Sequence, residues 1–326
     1  MTNLTTLLLK LPRNTEVTPE AAQTFLSALT QINSVSAFQK LLGTRAQPLA
    51  LEILLFNQQI RFQITCDNDL VPFIHTQIQS NYPLVIIEKV DDPLVDKKLE
   101  IKKLYLSKGS CYPIATFEAF QDVDPLSSVL SVLSKGNPDE IAIVQYALEA
   151  TSTSWQAKGA SYAEKGTKNE DGSYSPRSDA TIIKEKISYP GFKVTIRLAT
   201  NTKQTLKELV SRFGVFTRAD GNKFSSKGMS RLKKKSANCC LLERKVDDNQ
   251  ILNTQELATI WHLPSEKIKT TSIVWGTAVL SEPPDTLPVA LNATDEEKKE
   301  INFFAKTLFK NRETIFNPYP GNISIT

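Results

Sequence analysis

Four short segments in the first ninety residues constrain the fold of this chain more than any other feature. Residues 4–11 and 49–56 are apolar runs of strand length, and residues 84–89 form a third. Residues 60–66 alternate apolar and polar side chains, which is typical of a strand with one face in water, and we expect that wet face to carry Arg61, Gln63 and Thr65. Because only residues 57–59 separate two of these segments, we expect those two strands to form an antiparallel hairpin.

Two amphipathic helices alternate with these strands. Thr18-Pro19-Glu20 is a helix start, since threonine caps, proline suits the first helical position and glutamate complements the positive end of the helix dipole. Apolar residues then recur at three- and four-residue steps as far as Ile32, and a second stripe follows Asp67. The order β-α-β-β-α-β predicts a ferredoxin-like domain over residues 1–95, with both helices on one face of an antiparallel sheet.

The same order of elements recurs, less regularly, over residues 96–250, which we interpret as a second ferredoxin-like domain. We predict helices from Asp124 and Lys203, and strands at residues 99–106, 140–149, 192–200 and 222–225. Residues 151–188 interrupt the pattern and are rich in Ser, Gly, Lys and Glu. We therefore expect a long hairpin insertion that is helical near Trp155 and otherwise mobile.

The sequence changes character after residue 250. Asn253 or Thr254 caps a short predicted helix that ends before Pro264, and prolines at 283, 284 and 288 predict an extended linker. Residues 251–326 are therefore interpreted as a helical, Pro-rich C-terminal extension. The predicted fold class is α+β, with two ferredoxin-like units that have antiparallel sheets and precede this extension.

Positive charge is concentrated in one segment of a chain whose formal net charge is +4. Residues 222–245, which we call the basic arm, contain one acid, Glu243, and the cations Lys223, Lys227, Arg231, Lys233, Lys234, Lys235, Arg244 and Lys245. The arm is a candidate contact for nucleic acid or for an acidic partner. Because Phe224 is its one aromatic residue, the arm offers a poor stacking platform, which favours a solvated surface or an acidic partner over nucleic acid.

No motif for catalysis, a cofactor or a metal is found in the sequence. It contains no phosphate-binding G-x-x-x-x-G-K-[ST] loop and no other catalytic signature, and two histidines are too few for a His-rich metal site. We predict that His75 has an ordinary role on a helix surface and that His262 packs at a helix end. Cys239-Cys240 is predicted to be a pair of free thiols, because adjacent cysteines bridge only with strain. We therefore expect no enzymatic activity, no cofactor and no metal.

The sequence predicts a cytoplasmic location. It has no run of eighteen apolar residues, no signal-peptide pattern, and four cysteines that form no disulfide framework. A position at the inner face of the membrane, held there by partner proteins, is compatible with this prediction.

Several segments resemble one family of bacterial proteins. They are residues 121–128 (QDVDPLSS), residues 251–264 (ILNTQELATIWHLP), the Pro-rich residues 283–288 and the run 303–312. Residues 251–264 are similar to the pattern L-[ST]-x-E-L-A-x-L-[FW]-H-[LF]-P. The family comprises the TraG/TraD-type coupling proteins and HerA-like conjugation ATPases of type IV secretion, especially those of small-genome bacterial lineages.

The resemblance implies a non-catalytic role in conjugative DNA transfer. In the family, a nucleotide-binding loop follows the region similar to residues 312–316, whereas the sequence after Phe316 no longer resembles the family. We therefore expect this chain to be the N-terminal, non-motor region, as a truncated or split product without the ATPase domain, and no catalytic residue carries over. The expected partners are secretion ATPase or channel subunits, or a second copy of the chain. DNA binding through the basic arm is the alternative.

Overall fold

The computed structural model describes residues 3–13, 15–32, 46–95, 97–120, 123–168, 170, 172–268, 270, 272–276, 305–309 and 312–316. The chain divides into two compact units, residues 1–278 and 279–326, and each is described by itself. The helices of the first unit are α1 (Pro19–Leu29), α2 (Val71–Asn81), α3 (Ser127–Leu133), α4 (Ser154–Glu164), α5 (Ala180–Ile187), α6 (Lys203–Arg212), α7 (Arg231–Leu242) and α8 (Thr254–Ile260).

The strands of the first unit fall into one large sheet and one small hairpin. The large sheet contains β1 (Leu4–Lys10), β2 (Leu49–Phe56), β3 (Gln59–Asp67), β4 (Ile86–Val90), β5 (Glu100–Leu106), β6 (Ala142–Ala150), β9 (Gly191–Thr200), β10 (Phe224–Ser226) and β11 (Ile251–Asn253). The hairpin contains β7 (Thr167–Lys168) and β8 (Tyr174–Ser175). In the second unit, β12 (Ala305–Phe309) pairs with β13 (Arg312–Phe316).

All pairings in the large sheet are antiparallel, in the order β10-β5-β9-β6-β2-β3-β1-β4, and β11 also pairs with β9. The α+β class with a large antiparallel sheet is therefore confirmed. The strands assigned to two domains do not form two separate sheets, because β2 pairs with β6 and places Glu52 opposite Gln145. This pairing satisfies two strand edges that would otherwise be exposed. The domain boundaries at 95 and 250 stay a prediction.

One face of the sheet carries most of the hydrophobic core. Side chains alternate between faces along a strand, so Leu51 and Ile53 of β2 point to the same face as Val144 and Tyr146 of β6. The buried sides of α1, α2, α3, α6 and α8 pack against that face. The opposite face has a smaller apolar cluster, to which α7 contributes Ala237 and Leu241.

The prediction that Arg61, Gln63 and Thr65 form a water-exposed face of β3 is wrong. Gln63 and Thr65 are fully buried, and Arg61 is only partly exposed. Gln63 Nε2 and Thr65 Oγ1 donate hydrogen bonds of 2.8 and 2.9 Å to the carboxylate of Glu52 on β2. A buried polar side chain is tolerated when it is hydrogen-bonded, so alternation of polar residues alone did not identify a solvated face here.

The insertion at residues 151–188 is more ordered than predicted. The expected helix near Trp155 is α4, but a second helix, α5, was not predicted, and α4 and α5 pack together. Ile183 and Lys186 of α5 are completely buried. The short β7–β8 hairpin separates the two helices.

Several predicted elements shift by a few residues or lie outside the described part. The strand predicted at 84–89 is β4, that at 140–149 is β6, and that at 222–225 is β10. The helix predicted from Asp124 begins at Ser127. The Pro-rich stretch 283–288 and residues 121 and 122 lie outside the described residues. Residues 251–276, assigned to the C-terminal extension, belong to the first unit, where β11 extends the large sheet.

Candidate interaction surface

The helix α7 presents a basic outer side and an apolar inner side. Ser230 caps its first turn by accepting a hydrogen bond from the backbone N–H of Lys233. Ala237 and Leu241 are buried against the sheet, whereas Leu232 is 82% exposed and Leu242 39% exposed. Two large apolar side chains therefore remain in solvent on a helix that otherwise carries lysines.

The eight cations of the basic arm do not share one surface. Lys223, Lys227, Lys233, Lys235 and Lys245 are exposed and form no ion pair with any described residue. Lys234 is partly exposed and lies 2.7 Å from a carboxylate oxygen of Glu100. Arg231 is the first residue of α7.

Arg244 is completely buried, which corrects its assignment to the basic contact surface. Its backbone φ of 52° turns the chain back after α7. The guanidinium then lies 3.0 Å from Glu52 and 2.5 Å from Asp92. Burial alone lowers the pKa of an arginine, but these two carboxylates outweigh it and raise the pKa of Arg244 above its ordinary value.

A groove of about 260 Å³ lies beside α7, and we call it the α7 groove. Its lining combines four leucines with polar side chains: Leu94, Leu99, Leu241, Leu242, Lys97, Lys98 and Asn238. Leu94 and Leu241 are each 1% exposed and form its floor, whereas Lys97 and Lys98 are exposed at its rim. Neither rim lysine pairs with an acid in the described part of the chain.

A row of polar side chains crosses the sheet under the end of α7. Five neighbouring strands contribute one residue each, in the order Gln63, Glu52, Gln145, Arg197 and Lys103. Gln145 Nε2 donates to Glu52, and its side-chain oxygen accepts from Arg197 at 2.9 Å.

The segment after α7 completes this polar row. Arg197 contacts Asp247 at 2.7 Å, and Lys103 contacts Asp247 at 2.7 Å and Asp248 at 3.2 Å. Gln145 also donates to the carbonyl of Leu241. These directional contacts fix the C-terminal end of α7, and hence the α7 groove, on the sheet.

The segment that carries the family resemblance, residues 251–264, is a buried structural element. Every residue of α8 is buried. Asn253 and Glu256 form a reciprocal capping box, and Glu256 also accepts from the backbone N–H of Ile114 at 2.9 Å. The Glu256 carboxylate pairs with Lys186, which is likewise completely buried. Burial lowers the pKa of Lys186, and the neighbouring Glu256 opposes that shift.

His262 is buried and pairs with Asp124, so its predicted packing at a helix end is confirmed. Its Nδ1 lies 2.7 Å from the carbonyl of Ala258, and its Nε2 lies 3.1 Å from Asp124. Burial opposes ionisation of Asp124, but His262 and the N–H of Leu126 outweigh it and lower its pKa. A cavity of about 250 Å³ adjoins Asp124, with Glu20, Glu118 and Lys267 in its wall.

The other residues singled out in the sequence take structural positions. His75 is partly exposed within α2. Cys239 is exposed and Cys240 buried, and both are free thiols with raised pKa values, the first through Glu243 and the second through burial. Burial, with a smaller effect of Asp67, raises the pKa of Cys66 to about 12.

The insertion has an ionic and aromatic contact that sequence reasoning missed. Asp179 accepts from the hydroxyl of Tyr112 at 2.6 Å and pairs with Arg177 at 2.8 Å. The Arg177 guanidinium lies 4.1 Å from the ring centre of Tyr162. The hydrogen bonds from Arg177 and Tyr112 lower the pKa of Asp179 to about 2. This contact ties the insertion to the loop after β5, and no local sequence signal indicated it.

The described residues contain neither a metal-ligating cluster nor a membrane-spanning helix. Within the ranges given above, no group of three or more His, Cys, Asp or Glu side chains is arranged to hold a metal ion. No described helix is long and apolar enough to cross a membrane.

Comparison with known proteins places the chain in one family. Residues 3–276 match the model of a domain of unknown function, DUF8128. The chain belongs to this family. The match covers β1 to β11 and all eight described helices, including α7, its groove and the buried α8. No curated protein matches the chain.

Proposed function

We propose that this DUF8128 protein is a non-catalytic assembly module that binds other proteins of a type IV secretion or conjugative DNA-transfer system. In this proposal it acts in the cytoplasm, at the inner face of the membrane, and corresponds to the N-terminal region of the coupling ATPases that it resembles. Residues 251–264, the segment that resembles those ATPases, support the proposal only as a shared structural element, because α8 is buried.

We further propose that the sheet combines two ferredoxin-like units side by side. The orders β4-β1-β3-β2 and β10-β5-β9-β6 have the same arrangement. In each, the first strand of the unit lies between its fourth and third strands, and the second strand pairs with the third. The pairing of β2 with β6 would then join the two units through equivalent second strands. This arrangement supports an assembly role, because it gives one rigid sheet whose outer elements are available for contacts.

The observation that carries the proposed function is the solvent-facing side of α7. Leu232 and Leu242 are exposed there beside Lys233 and Lys235, which have no acidic partner among the described residues. Contact with another protein would bury these apolar side chains and supply counter-charges to the lysines. Such a site has only to bind a partner, so it needs no group that reacts with a substrate.

Site-specific crosslinking tests this function. A photoreactive p-benzoylphenylalanine replaces Lys235 in cells that make the protein, and the matched control carries it in place of Lys158, which is exposed on α4. We expect the Lys235 derivative to capture a secretion ATPase or channel subunit and the Lys158 derivative to capture much less. Mg²⁺-dependent ATP hydrolysis by the purified chain, above that of a mock preparation, would contradict the proposal.

Nucleic-acid binding is the second candidate function, and the five exposed lysines of the basic arm favour it. The test is filter binding of duplex DNA across a salt series, with Lys233, Lys234 and Lys235 replaced together by Ala. If these lysines bind phosphates, the log–log salt slope becomes shallower by about 0.9 for each phosphate that is no longer neutralised. An unchanged slope removes the arm as a DNA-binding surface.

A further inference from the structure

We propose that the α7 groove binds an acidic, amphipathic helical segment of a partner protein. This inference rests on the proposed assembly function and adds the site and the chemistry of the partner. The apolar side of the bound helix would contact the leucines of the groove floor, and its acidic side would face the lysines of the rim.

The size of the groove suits a protein segment. At about 260 Å³ it is smaller than the roughly 300–1,000 Å³ typical of pockets that enclose a small-molecule ligand. A groove of this size admits one or two apolar side chains. Helices bind apolar grooves through anchors on one face, and two anchors at positions i and i+3 or i+4 match a groove of this size.

The charge at the rim selects an acidic partner. Lys97 and Lys98 line the groove, and Lys233 and Lys235 are exposed outside its lining on α7, the helix that supplies Asn238, Leu241 and Leu242 to it. None of these four forms an ion pair with a described residue. Lys234, by contrast, is already paired with Glu100. An incoming helix with several glutamates would supply the missing counter-charges and associate faster at low salt.

The lining argues against nucleic acid as the occupant. None of its seven residues is aromatic, so bases have nothing to stack on, and the leucine floor offers no contact to phosphate. An anionic membrane would bind protruding apolar side chains such as Leu232, which is outside the groove lining, whereas the groove floor formed by Leu94 and Leu241 is recessed at 1% exposure. Both occupants remain as outcomes of the test below.

Fluorescence anisotropy with a designed peptide tests the proposal on the full chain. The probe is a labelled 18-residue helix of Leu and Glu with leucines on one face. The controls are a scrambled peptide of equal composition and a peptide with Lys in place of Glu. We expect the probe to bind at least tenfold more tightly than either control, a difference of about 1.4 kcal/mol.

Variants of the rim lysines and of the exposed lining leucine locate the binding site. Replacing Lys97 and Lys98 together by Glu, or Leu242 by Ser, should weaken binding of the probe at least tenfold. The matched control, Lys158→Glu with Lys207→Glu, makes the same change in net charge at exposed lysines of α4 and α6 and should alter binding less than twofold. Equal losses of affinity in both double variants would overturn the proposal, because charge alone would then explain binding.

Two further outcomes decide between the occupants and between the two proposals. Tighter binding to duplex DNA, or to vesicles containing phosphatidylserine, than to the probe would overturn the peptide as occupant. If the Lys97→Glu, Lys98→Glu variant still captures its partner through the crosslinker at residue 235, the assembly function stands and the groove proposal fails. If the probe binds as expected but the purified chain hydrolyses ATP, the groove stands and the non-catalytic assignment fails.

Discussion

The two faces of the large sheet are both buried, but they are held together by different interactions. On one face, which we call the helical face, the apolar side chains of β2, β6 and β9 pack against five helices. On the other face, a row of polar residues under α7 is joined by hydrogen bonds and ion pairs. Glu52 and Ile53, neighbours on β2, belong to opposite faces and to these two different environments.

The difference matters because the two kinds of interaction restrict position to different degrees. Hydrophobic burial stabilises without direction, so an apolar face tolerates small shifts of a helix. A buried ion pair adds little net stability, yet it becomes costly when one partner is removed or displaced. We infer that the polar face fixes where α7 and its groove lie, whereas the apolar face supplies most of the folding free energy.

The largest effect is expected at the ion pair between Glu256 and Lys186 on the helical face, because both of its side chains are completely buried. Glu256→Gln leaves the completely buried Lys186 without a counter-charge. We expect the free energy of unfolding at pH 7 to fall by about 3–5 kcal/mol, the cost of breaking a buried pair. Urea unfolding followed by circular dichroism measures the change.

The pH dependence of this variant separates removal of the ion pair from removal of the helix cap. Burial lowers the pKa of Lys186 below that of an unfolded lysine, and without Glu256 it falls further. At a pH between the lowered pKa of Lys186 in the folded variant and the pKa of an unfolded lysine, about 10.4, the unfolded chain binds more protons than the folded chain. The free energy of unfolding of Glu256→Gln should therefore rise with pH across this interval. Adding Lys186→Met should remove this rise. A pH-independent deficit would show that only the capping box had been disrupted.

A somewhat smaller loss of stability is expected on the polar face. Arg244→Met removes a cation from Glu52, but the carboxylate keeps hydrogen bonds from Gln63, Thr65 and Gln145. We therefore expect a loss of about 3 kcal/mol, at the lower end of the range for a broken buried pair. Lys245→Met, at the exposed neighbouring position, should stay within about 0.5 kcal/mol.

The same variant tests whether the polar face positions the groove. Arg244→Met should also weaken binding of the acidic peptide, although Arg244 does not line the groove. If the variant loses stability but binds the peptide as the unmodified chain does, the polar face contributes stability without positioning α7. A loss of less than about 1 kcal/mol would instead show that the two faces do not differ in how strictly they restrict the position of a helix.

The sequence predicted what depends on local periodicity and on caps. The start of α1 at Pro19 follows from the residue types there, although Thr18 holds the N-cap position without a side-chain hydrogen bond to the helix. Of the two predicted caps of α8, Asn253 is the one that the structure shows. The strands β1, β2 and β3 follow from apolar runs and alternation over short windows. These features are encoded within a few residues of one another.

The sequence could not predict contacts between distant segments. Gln63 was predicted to face water because its partner, Glu52, lies in an otherwise apolar run. Arg244 was predicted to be exposed because no glycine in the sequence indicates the positive φ at this position. Lys186 appeared to be part of a polar insertion, although its partner lies 70 residues away. No feature of the sequence indicated the two lysines that line the α7 groove, since Lys97 and Lys98 lie far from the basic arm in sequence.

The smallest of these effects is expected at Asp124, a polar residue of the helical face. Asp124→Asn keeps Oδ1, which accepts from the N–H of Leu126 and lies 3.2 Å from Nε2 of His262, but it removes the charge and replaces the second oxygen near that nitrogen by an amide NH2. We expect a loss of about 1 kcal/mol at pH 7. Asp139→Asn, at an exposed acid, is the matched control and should change little.

Acid titration shows whether the pairing of Asp124 with His262 depends on charge. The pKa of Asp124 is lowered in the folded chain, so its contribution is complete above the unfolded value of about 3.9 and disappears as pH falls through the folded value. The unmodified chain should therefore lose more stability than Asp124→Asn over that interval, and the two curves should converge at low pH. Parallel curves would mean that His262 is held by geometry alone. The helical face would then depend on charge only at Lys186, which would widen the contrast with the polar face.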